Sequence, residues 1–224
     1  MPNVKIVDAK GNELENVDIP VNGLKVLDLS NNSALRTLSA EQYACTERIN
    51  LSHSFIDDNI LNMAALMARG GVLIASSDLG PNPLVLKSRT AKASPKTITL
   101  LSKNRELDLQ GCYANVLKFS GKSITFHSAR NSTCEMEKLL IENNEQPIEL
   151  VFTTVDMALL WVNKWIDENP NCKFTMRVET GNEEVDQKLN GMLSFINNVT
   201  KDGSLGKLTD EMKQMANNIL LPYA

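Results

Sequence analysis

Residues 24–35 read LKVLDLSNNSAL, and the spacing of this stretch decides the fold of the chain. Leu27 and Leu29 alternate with polar residues, which is the period of a strand that buries one face. The SNN tripeptide that follows consists of residues that favour turns. The stretch therefore predicts a short strand that ends in a polar turn.

Short apolar-x-apolar segments recur along the chain at intervals of 22–26 residues. They lie at Val4/Ile6, Leu27/Leu29, Ile49/Leu51, Val72/Ile74, Ile98/Leu100, Ile124/Phe126, Leu150/Phe152 and Phe174/Met176. This interval is too long for a hairpin meander and fits a strand followed by a returning helix or extended turn. The spacing predicts an α/β protein built from successive strand-helix units.

Helical periodicity follows several of these strands. Asp57 and Asp58 stand where an N-cap and a first-turn acid belong, and Gly70-Gly71 stands where a helix ends. A helix is therefore predicted over about residues 57–69. A helical pattern also includes Leu35, Leu38 and Tyr43. The other predicted helices cover about residues 133–143, 155–168, 182–199 and 208–220.

Two regions depart from the period. Residues 80–96 contain three prolines and predict a loop with one short strand. Residues 104–122 contain extra apolar alternations at Leu107/Leu109 and Leu117/Phe119, so the repeat either tightens there or is interrupted by a hairpin.

The opening stretch resembles a leucine-rich repeat. It fits the consensus LxxLxLxxNxxL at Leu24, Leu27, Leu29, Asn32 and Leu35. The next stretch, RINLSHSFIDDNILNMAAL, is similar to the cysteine-containing class, with Ser54 in the Asn position. GGVLIASSDLG is a third match with Ser77 in that position, and LDLQGC, with Cys112, is an echo out of register. The resemblance covers about residues 24–79.

The resemblance implies a leucine-rich-repeat-like solenoid in which the Asn side chain bonds to backbone groups at each turn. We expect an N-terminal hairpin cap around Lys10-Gly11-Asn12 and a helical C-terminal cap. Residues 1–153 would form the repeat region with its N-terminal cap. Residues 154–224 would form the C-terminal α/β and helical capping region, packed with the rest as one unit.

The function that the resemblance implies is protein–protein interaction without catalysis, through the exposed strand surface. The sequence leaves open whether the chain is a delivered effector or an adaptor. The expected partner-binding residues are those between and after the buried strand positions: Lys25, Asp28, Ser30, Arg48, Asn50, Ser52, His53, Thr99, Thr125 and His127.

An alternative resemblance is to the Rossmann-like core of S-adenosylmethionine-dependent methyltransferases, as an enzyme or an inactive relative. LKVLDLS and GGVLIAS are similar to its first strand and its later strand after a GG turn. The crevice would then lie near Ser30–Asn32, Ser52–Ser54 and Ser76–Asp78. The family's binding loop needs glycines, and the loop at Ser30-Asn31-Asn32 has none.

The two histidines, His53 and His127, follow a strand by the same offset, in INLSHS and ITFHSA. In a repeat they would project near the same edge of the sheet. With the acids at 57 and 58 assigned to helix capping, His53 is expected to be an exposed contact residue. A nucleophile such as Cys112 or Cys134 with His127 is the catalytic alternative.

Composition excludes several function classes. The net charge of −4 and the absence of a long Lys/Arg run argue against nucleic acid as the main partner. No stretch has the apolar length of a membrane span, and no secretory signal is evident, so we expect a cytoplasmic protein, in the host cell if it is a delivered effector. Four scattered cysteines without CxxC indicate buried reduced thiols. We expect neither a cofactor nor a metal.

Trp161 and Trp165 are one helical turn apart, with apolar residues around them. An aromatic pair at this spacing favours the core over a partner surface.

Overall fold

The structure is a computed structural model that describes residues 4–19, 23–41, 45–87, 94–127, 135–142, 145–202 and 209–224. Its strands are β1 (Ile6–Asp8), β2 (Asn16–Ile19), β3 (Leu24–Asp28), β4 (Thr37–Ala40), β5 (Cys45–Asn50), β6 (Val72–Ile74), β7 (Leu84–Lys87), β8 (Thr97–Leu101), β9 (Glu106–Gln110), β10 (Tyr113–Ser120), β11 (Ser123–Phe126), β12 (Glu135–Ile141), β13 (Ile148–Phe152) and β14 (Phe174–Val178). Its helices are α1 (Asp58–Met67), α2 (Val155–Asn163), α3 (Glu183–Thr200) and α4 (Asp210–Leu220), with short 3₁₀ helices at Trp165–Glu168 and Leu221–Tyr223.

The strands form parallel sheets, so the protein belongs to the α/β class. A seven-stranded sheet has the order β1-β3-β5-β6-β8-β10-β12, and a five-stranded sheet has the order β7-β9-β11-β13-β14. A third sheet pairs β2 with β4. In each sheet the order of neighbours follows the order along the chain. From β6 to β13, consecutive strands along the chain belong alternately to the seven-stranded and the five-stranded sheet.

Alternation along the strands places one face of each large sheet in a shared core. The inward row of the seven-stranded sheet is fully or almost fully buried, and it consists of Leu27, Ile49, Leu73, Ile98, Leu117 and Leu139. The five-stranded sheet contributes the buried rows Leu84, Leu107, Ile124, Leu150, Met176 and Leu86, Leu109, Phe126, Phe152, Val178. Burial of each such side chain contributes about 1.5–3 kcal/mol.

Helix α1 lies beside β4 and β7. Asp57 is its N-cap and accepts a 2.8 Å hydrogen bond from the amide of Ile60, so the helix predicted from the capping residues is confirmed. Asp58 accepts from the amide of Val85, and Asn62 bonds to both Val85 and Lys87. These side chains provide hydrogen-bond partners for the backbone groups on the open edge of β7.

Helical residues also cover the last strand of each large sheet. Along β12, Glu168 accepts from the amide of Leu139, and Asn169 accepts from Ile141 and donates to Leu139. Along β14, Asn190 bonds to both backbone groups of Val178, Asn197 does the same for Met176, and Thr200 donates to Phe174. The backbone groups on the open edges of β12 and β14 therefore have side-chain hydrogen-bond partners.

Trp161 and Trp165 are fully buried, as their spacing predicts. Trp165 stacks on Phe126, and Trp161 meets Phe174 edge to face. They tie α2 and the 3₁₀ helix to the five-stranded sheet.

Three local predictions are wrong. The N-terminal hairpin is absent because β1 pairs with β3 and β2 pairs with β4, both in parallel. Residues 37–40 form β4 rather than a helix, and Tyr43 lies outside the described residues. Residues 135–141 form β12 rather than a helix, since they complete the sheet beside β10. In each case sheet pairing outweighs local propensity.

Residues 104–122 contain no hairpin, because β9 and β10 enter different sheets. The repeat tightens instead, so that Thr97 and Val116 are partners only 19 residues apart. The predicted strand within residues 80–96 is β7, and residues 88–93 lie outside the described ranges.

None of the helices in the described residues is long and apolar enough to span a membrane.

Candidate protein-binding surface

The outward side of the seven-stranded sheet, here called the strand face, carries two in-register rows of side chains. One row is Ile6, Val26, Arg48, Val72, Thr97, Val116 and Lys138, and the other is Asp8, Asp28, Asn50, Ile74, Thr99, Lys118 and Leu140. Its residues are exposed or half-buried, whereas the inward row is buried. Among the described strands, the helices lie closest to β4, β5, β7, β13 and β14.

The strand face has a graded composition. Its first strands carry the acids Asp8 and Asp28, and its last strands carry Lys118 and Lys138. The strands between them carry Arg48 and Asn50, the half-buried aliphatic residues Val72 and Ile74, and Thr97 and Thr99, while Val26 and Val116 share strands with Asp28 and Lys118. An aliphatic centre between an acidic side and a basic side can contact an apolar segment and orient its charges.

Asp28 and Asn50 form the polar part of the strand face. The Asp28 carboxylate accepts bonds from the amide and hydroxyl of Ser30, at 2.9 and 2.6 Å. Asn50 Oδ1 accepts the equivalent pair from Ser52, at 3.0 and 2.7 Å. The repeated Asp/Asn-Leu-Ser pattern therefore fixes both side chains on neighbouring strands.

The pKa of Asp28 lies below its ordinary value of 3.8. Partial burial raises this pKa, but hydrogen bonds from Ser30 and Asn50 and the charge of Lys10 lower it by more in sum. Asp28 is therefore ionised at neutral pH and presents a fixed negative charge.

A buried polar ladder supports the turns after β3, β5 and β6. The Asn32 side chain is fully buried, accepts from the amides of Asn12 and Leu14, and donates to the carbonyls of Ala9, Leu29 and Ser30. Ser54 donates to Leu29 and accepts from the amide of Asn32. Ser77 donates to Ser54 and accepts from Leu79. The three side chains predicted to satisfy turn backbone do so.

Most of the predicted contact residues lie on or beside the strand face. Asp28, Arg48, Asn50 and Thr99 point outward in it. Ser30 and Ser52 follow their strands, with their hydroxyls bonded to Asp28 and Asn50. Ser30 is buried at 4% exposure, so its side chain is not open to a partner. Lys25 is exposed and pairs with Glu47 at 3.1 Å.

His53 lies in the turn after β5, exposed, with a positive φ of 58°. Its amide donates to the carbonyl of Ser76. Of the neighbouring acids, Asp57 caps α1 and Asp58 lies in its first turn, as expected, and Asp58 also accepts from the amide of Val85. The position of His53 suits contact with a partner.

Thr125 and His127 do not belong to the strand face. Thr125 is in β11 and His127 follows it, so both lie at the five-stranded sheet. The prediction that the two histidines project near the same sheet edge is wrong, because the tightened repeat sends β11 into the other sheet.

The His127 side chain instead meets Asp108 of the adjacent strand, with its Nε2 atom 2.6 Å from the carboxylate. Both side chains are partly exposed, at 37% and 22%. Cys112, the nucleophile considered for His127, is buried at 2% exposure, and Cys134 lies outside the described residues. The arrangement is a histidine–carboxylate pair on a sheet surface.

The turns proposed as a methyltransferase crevice do lie side by side, since Asn31 donates to Ser52 and His53 donates to Ser76. Their inward side chains, Asn32, Ser54 and Ser77, are buried and bonded to backbone. Those groups are occupied by structural bonds.

Among the residues that the structure describes, no cluster of three or more His, Cys, Asp or Glu side chains could hold a metal ion. Cys112 and Cys172 are buried thiols, and burial raises the pKa of Cys172 to about 12. The side chains of Cys45 and Cys134 are outside the described part.

Sequence reasoning missed the aliphatic centre and the outer charges of the strand face. These residues are Asp8, Val26, Val72, Ile74, Val116, Lys118 and Lys138. Val26, Val116 and Lys118 each lie next to a buried residue of an alternating strand, whereas the pattern predicts Val72 and Ile74 as the buried pair of their strand and the structure instead buries Leu73 between them.

Comparisons with protein-family models, with curated proteins and with solved structures find no match to this chain.

Proposed function

We propose that the protein is a non-catalytic protein-recognition module, a short solenoid similar to leucine-rich repeat proteins, which binds its partner through the strand face. The observation that carries this proposal is the pair of in-register outward rows on seven parallel strands. A rigid sheet that places many side chains in one surface suits recognition of another protein.

The strand order supports a solenoid. Neighbours in the seven-stranded sheet follow the chain without reversal, and partners in adjacent strands are 19–25 residues apart, as at Thr97/Val116 and Val72/Thr97. A doubly wound enzyme binds its ligand where the strand order reverses. The buried ladder of Asn32, Ser54 and Ser77 fits the turn role of the repeat consensus.

The composition of the strand face specifies the partner's chemistry. Asp8 and Asp28 favour basic groups at one side, and Lys118 and Lys138 favour acidic groups at the other. The half-buried Val72 and Val116 would contact an apolar segment between them.

Affinity capture from the native or host cell, followed by mass spectrometry, tests the proposal. The binding variant combines Arg48→Glu, Asn50→Lys and His53→Glu, which change the charge at exposed or half-buried positions and leave the inward row intact, although Asn50→Lys also removes the bonds from Ser52. The matched control combines Glu106→Lys, Ser123→Lys and Thr175→Glu on the outward side of the five-stranded sheet. We expect the partner to be lost with the first variant and kept with the control.

Retention of the same partner by the Arg48/Asn50/His53 variant would contradict recognition through the strand face. Calorimetric titration with S-adenosylmethionine tests the methyltransferase-like alternative directly. Binding of that cofactor near the turns at Ser30–Asn32 would replace the proposal.

A further inference from the structure

Two serine hydroxyls serve side chains of the strand face. Among the described residues, the hydroxyl of Ser30 bonds to Asp28 alone, and the hydroxyl of Ser52 bonds to Asn50 alone. Ser30 is buried at 4% exposure, so a partner bound to the strand face would not reach its side chain. Any effect of Ser30 on binding must therefore pass through Asp28.

The next repeat along the sheet uses its serine differently. Ile74 occupies the position that Asn50 has on the neighbouring strand, and it offers no polar group to a hydroxyl. The Ser76 hydroxyl instead accepts a bond from the amide of Leu101. Serine hydroxyls thus hold surface side chains after β3 and β5, and a backbone group after β6.

The bonds from Ser30 leave one oxygen of Asp28 available. The amide and the hydroxyl of Ser30 both donate to Oδ1, at 2.9 and 2.6 Å. The other oxygen, Oδ2, has only a long contact of 3.5 Å with Nδ2 of Asn50. Asn50 turns this nitrogen towards Asp28 because its Oδ1 takes both bonds from Ser52.

Asp28 forms no ion pair with any residue that the structure describes. The charged groups around it are the exposed Asp8, which lies opposite on β1, and the exposed Lys10, which acts on Asp28 through its charge. The half-buried, ionised carboxylate therefore keeps acceptor capacity at Oδ2.

We propose that Ser30 and Ser52 are positioning residues of the recognition surface, which hold Asp28 and Asn50 so that Oδ2 of Asp28 receives a Lys or Arg side chain of the partner. This inference rests on the proposed function, since it assigns one contact of the strand face. A carboxylate that is already fixed loses little rotamer freedom when a partner binds. Its bond to a cation is charge-assisted and hence stronger than a bond between neutral groups.

Titration of the Asp28 carboxyl group by carbon-13 NMR tests the positioning role in the free protein. Ser30→Ala should raise the pKa of Asp28, because the ionised form loses the hydroxyl bond and keeps the amide bond. Ser30→Thr keeps a hydroxyl and should restore the parent pKa. The matched control Ser39→Ala removes a hydroxyl that bonds to Asp18 elsewhere, and it should leave the pKa of Asp28 unchanged.

A cationic probe tests the assigned contact. N-acetyl-L-arginine amide should produce a saturable shift of the Asn50 side-chain amide resonance, whereas the uncharged N-acetyl-L-citrulline amide should not. Ser30→Ala and Ser52→Ala should each raise the dissociation constant of the arginine probe about fivefold, the effect of one lost hydrogen bond. Ser52 is half-buried, so Ser52→Ala carries the test if Ser30→Ala does not fold.

An Asp28 pKa that is the same in Ser30→Ala and the parent would overturn the proposal. Equal binding of the two probes, or equal binding of the arginine probe by the parent and both serine variants, would do the same. The proposed function fails separately, if the Arg48/Asn50/His53 variant keeps its captured partner. Loss of the partner with that variant, but not with Ser30→Ala or Ser52→Ala, would leave the proposed function standing and reject the positioning role.

Discussion

Replacement of Asn32 by alanine should be among the most destabilising single changes in the chain. The side chain is fully buried and makes five hydrogen bonds to backbone groups of Ala9, Asn12, Leu14, Leu29 and Ser30. Water can reach the amides of residues 12 and 14, and Leu29 retains its bond from Ser54, so the loss is smaller than five full bonds. At about 1 kcal/mol for each of the two bonds fully lost and a fraction of that for each of the three partly compensated bonds, we expect about 3 kcal/mol.

Urea unfolding followed by circular dichroism measures this loss. The Asn32→Ala midpoint should fall with an unchanged slope, and the melting temperature should fall by roughly 6–12 °C, at about 2–4 °C per kcal/mol for a chain of this size. Ser54→Ala, which removes two bonds, should cost about half as much. The exposed control Asn115→Ala should stay within about 0.5 kcal/mol of the parent. A cost for Asn32→Ala no larger than that of the control would refute the ladder's role.

Three further outcomes are expected. Arg105→Met should destabilise the protein by about 3 kcal/mol, because the buried guanidinium donates to the carbonyls of Ser77, Leu79 and Pro81. Faster amide hydrogen exchange in residues 77–82 of the variant would locate the effect. Unchanged exchange there would contradict it. Partial burial raises the pKa of Asp78, but bonds from Ser102, Asn104 and Lys103 and the charge of Arg105 lower it below 3.8 overall. The ionised form of Asp78 therefore stabilises the fold above the unfolded pKa of about 3.9, and this contribution is lost as pH falls through the folded pKa. The difference in the free energy of unfolding between the parent and Asp78→Asn, measured with urea, should narrow below pH 4. Burial raises the pKa of Cys172 to about 12. Cys172 should therefore resist iodoacetamide at pH 8 in the folded protein and react with it in urea, as measured by mass spectrometry. Rapid labelling without urea would contradict its burial.

The sequence predicts those elements whose local signals agree with the sheet pairing. Helix α1 has an N-cap at Asp57 and an apolar face, and the strands near Leu27, Ile49 and Ile98 have a clear period of two. Sequence alone misses β12, since EMEKLLI is rich in helix formers and becomes a strand only because β10 offers an unpaired edge.

A residue of the candidate surface can be predicted from the sequence only where the sheet that its strand joins can also be predicted. Asp28, Arg48 and Asn50 were placed correctly because β3 and β5 are one repeat apart. Thr125 and His127 lie elsewhere, because the extra alternations at Leu107/Leu109 and Leu117/Phe119 are the strands β9 and β10, which join different sheets and leave β11 in the five-stranded one. A regular interval cannot reveal which of two sheets each strand joins.

The strand face exists only if its strands lie side by side in chain order, and one distance tests this most directly. Asp8 and Lys118 are exposed residues of the same outward row, five strand spacings apart. At about 4.8 Å per spacing, their Cα atoms should be about 24 Å apart. Spin labels at both positions, measured by double electron–electron resonance in protein diluted with unlabelled chain, should give a distance distribution centred near that value. A doubly wound order with the first strand at the centre would bring the same positions to about 15 Å, and that result would contradict the account.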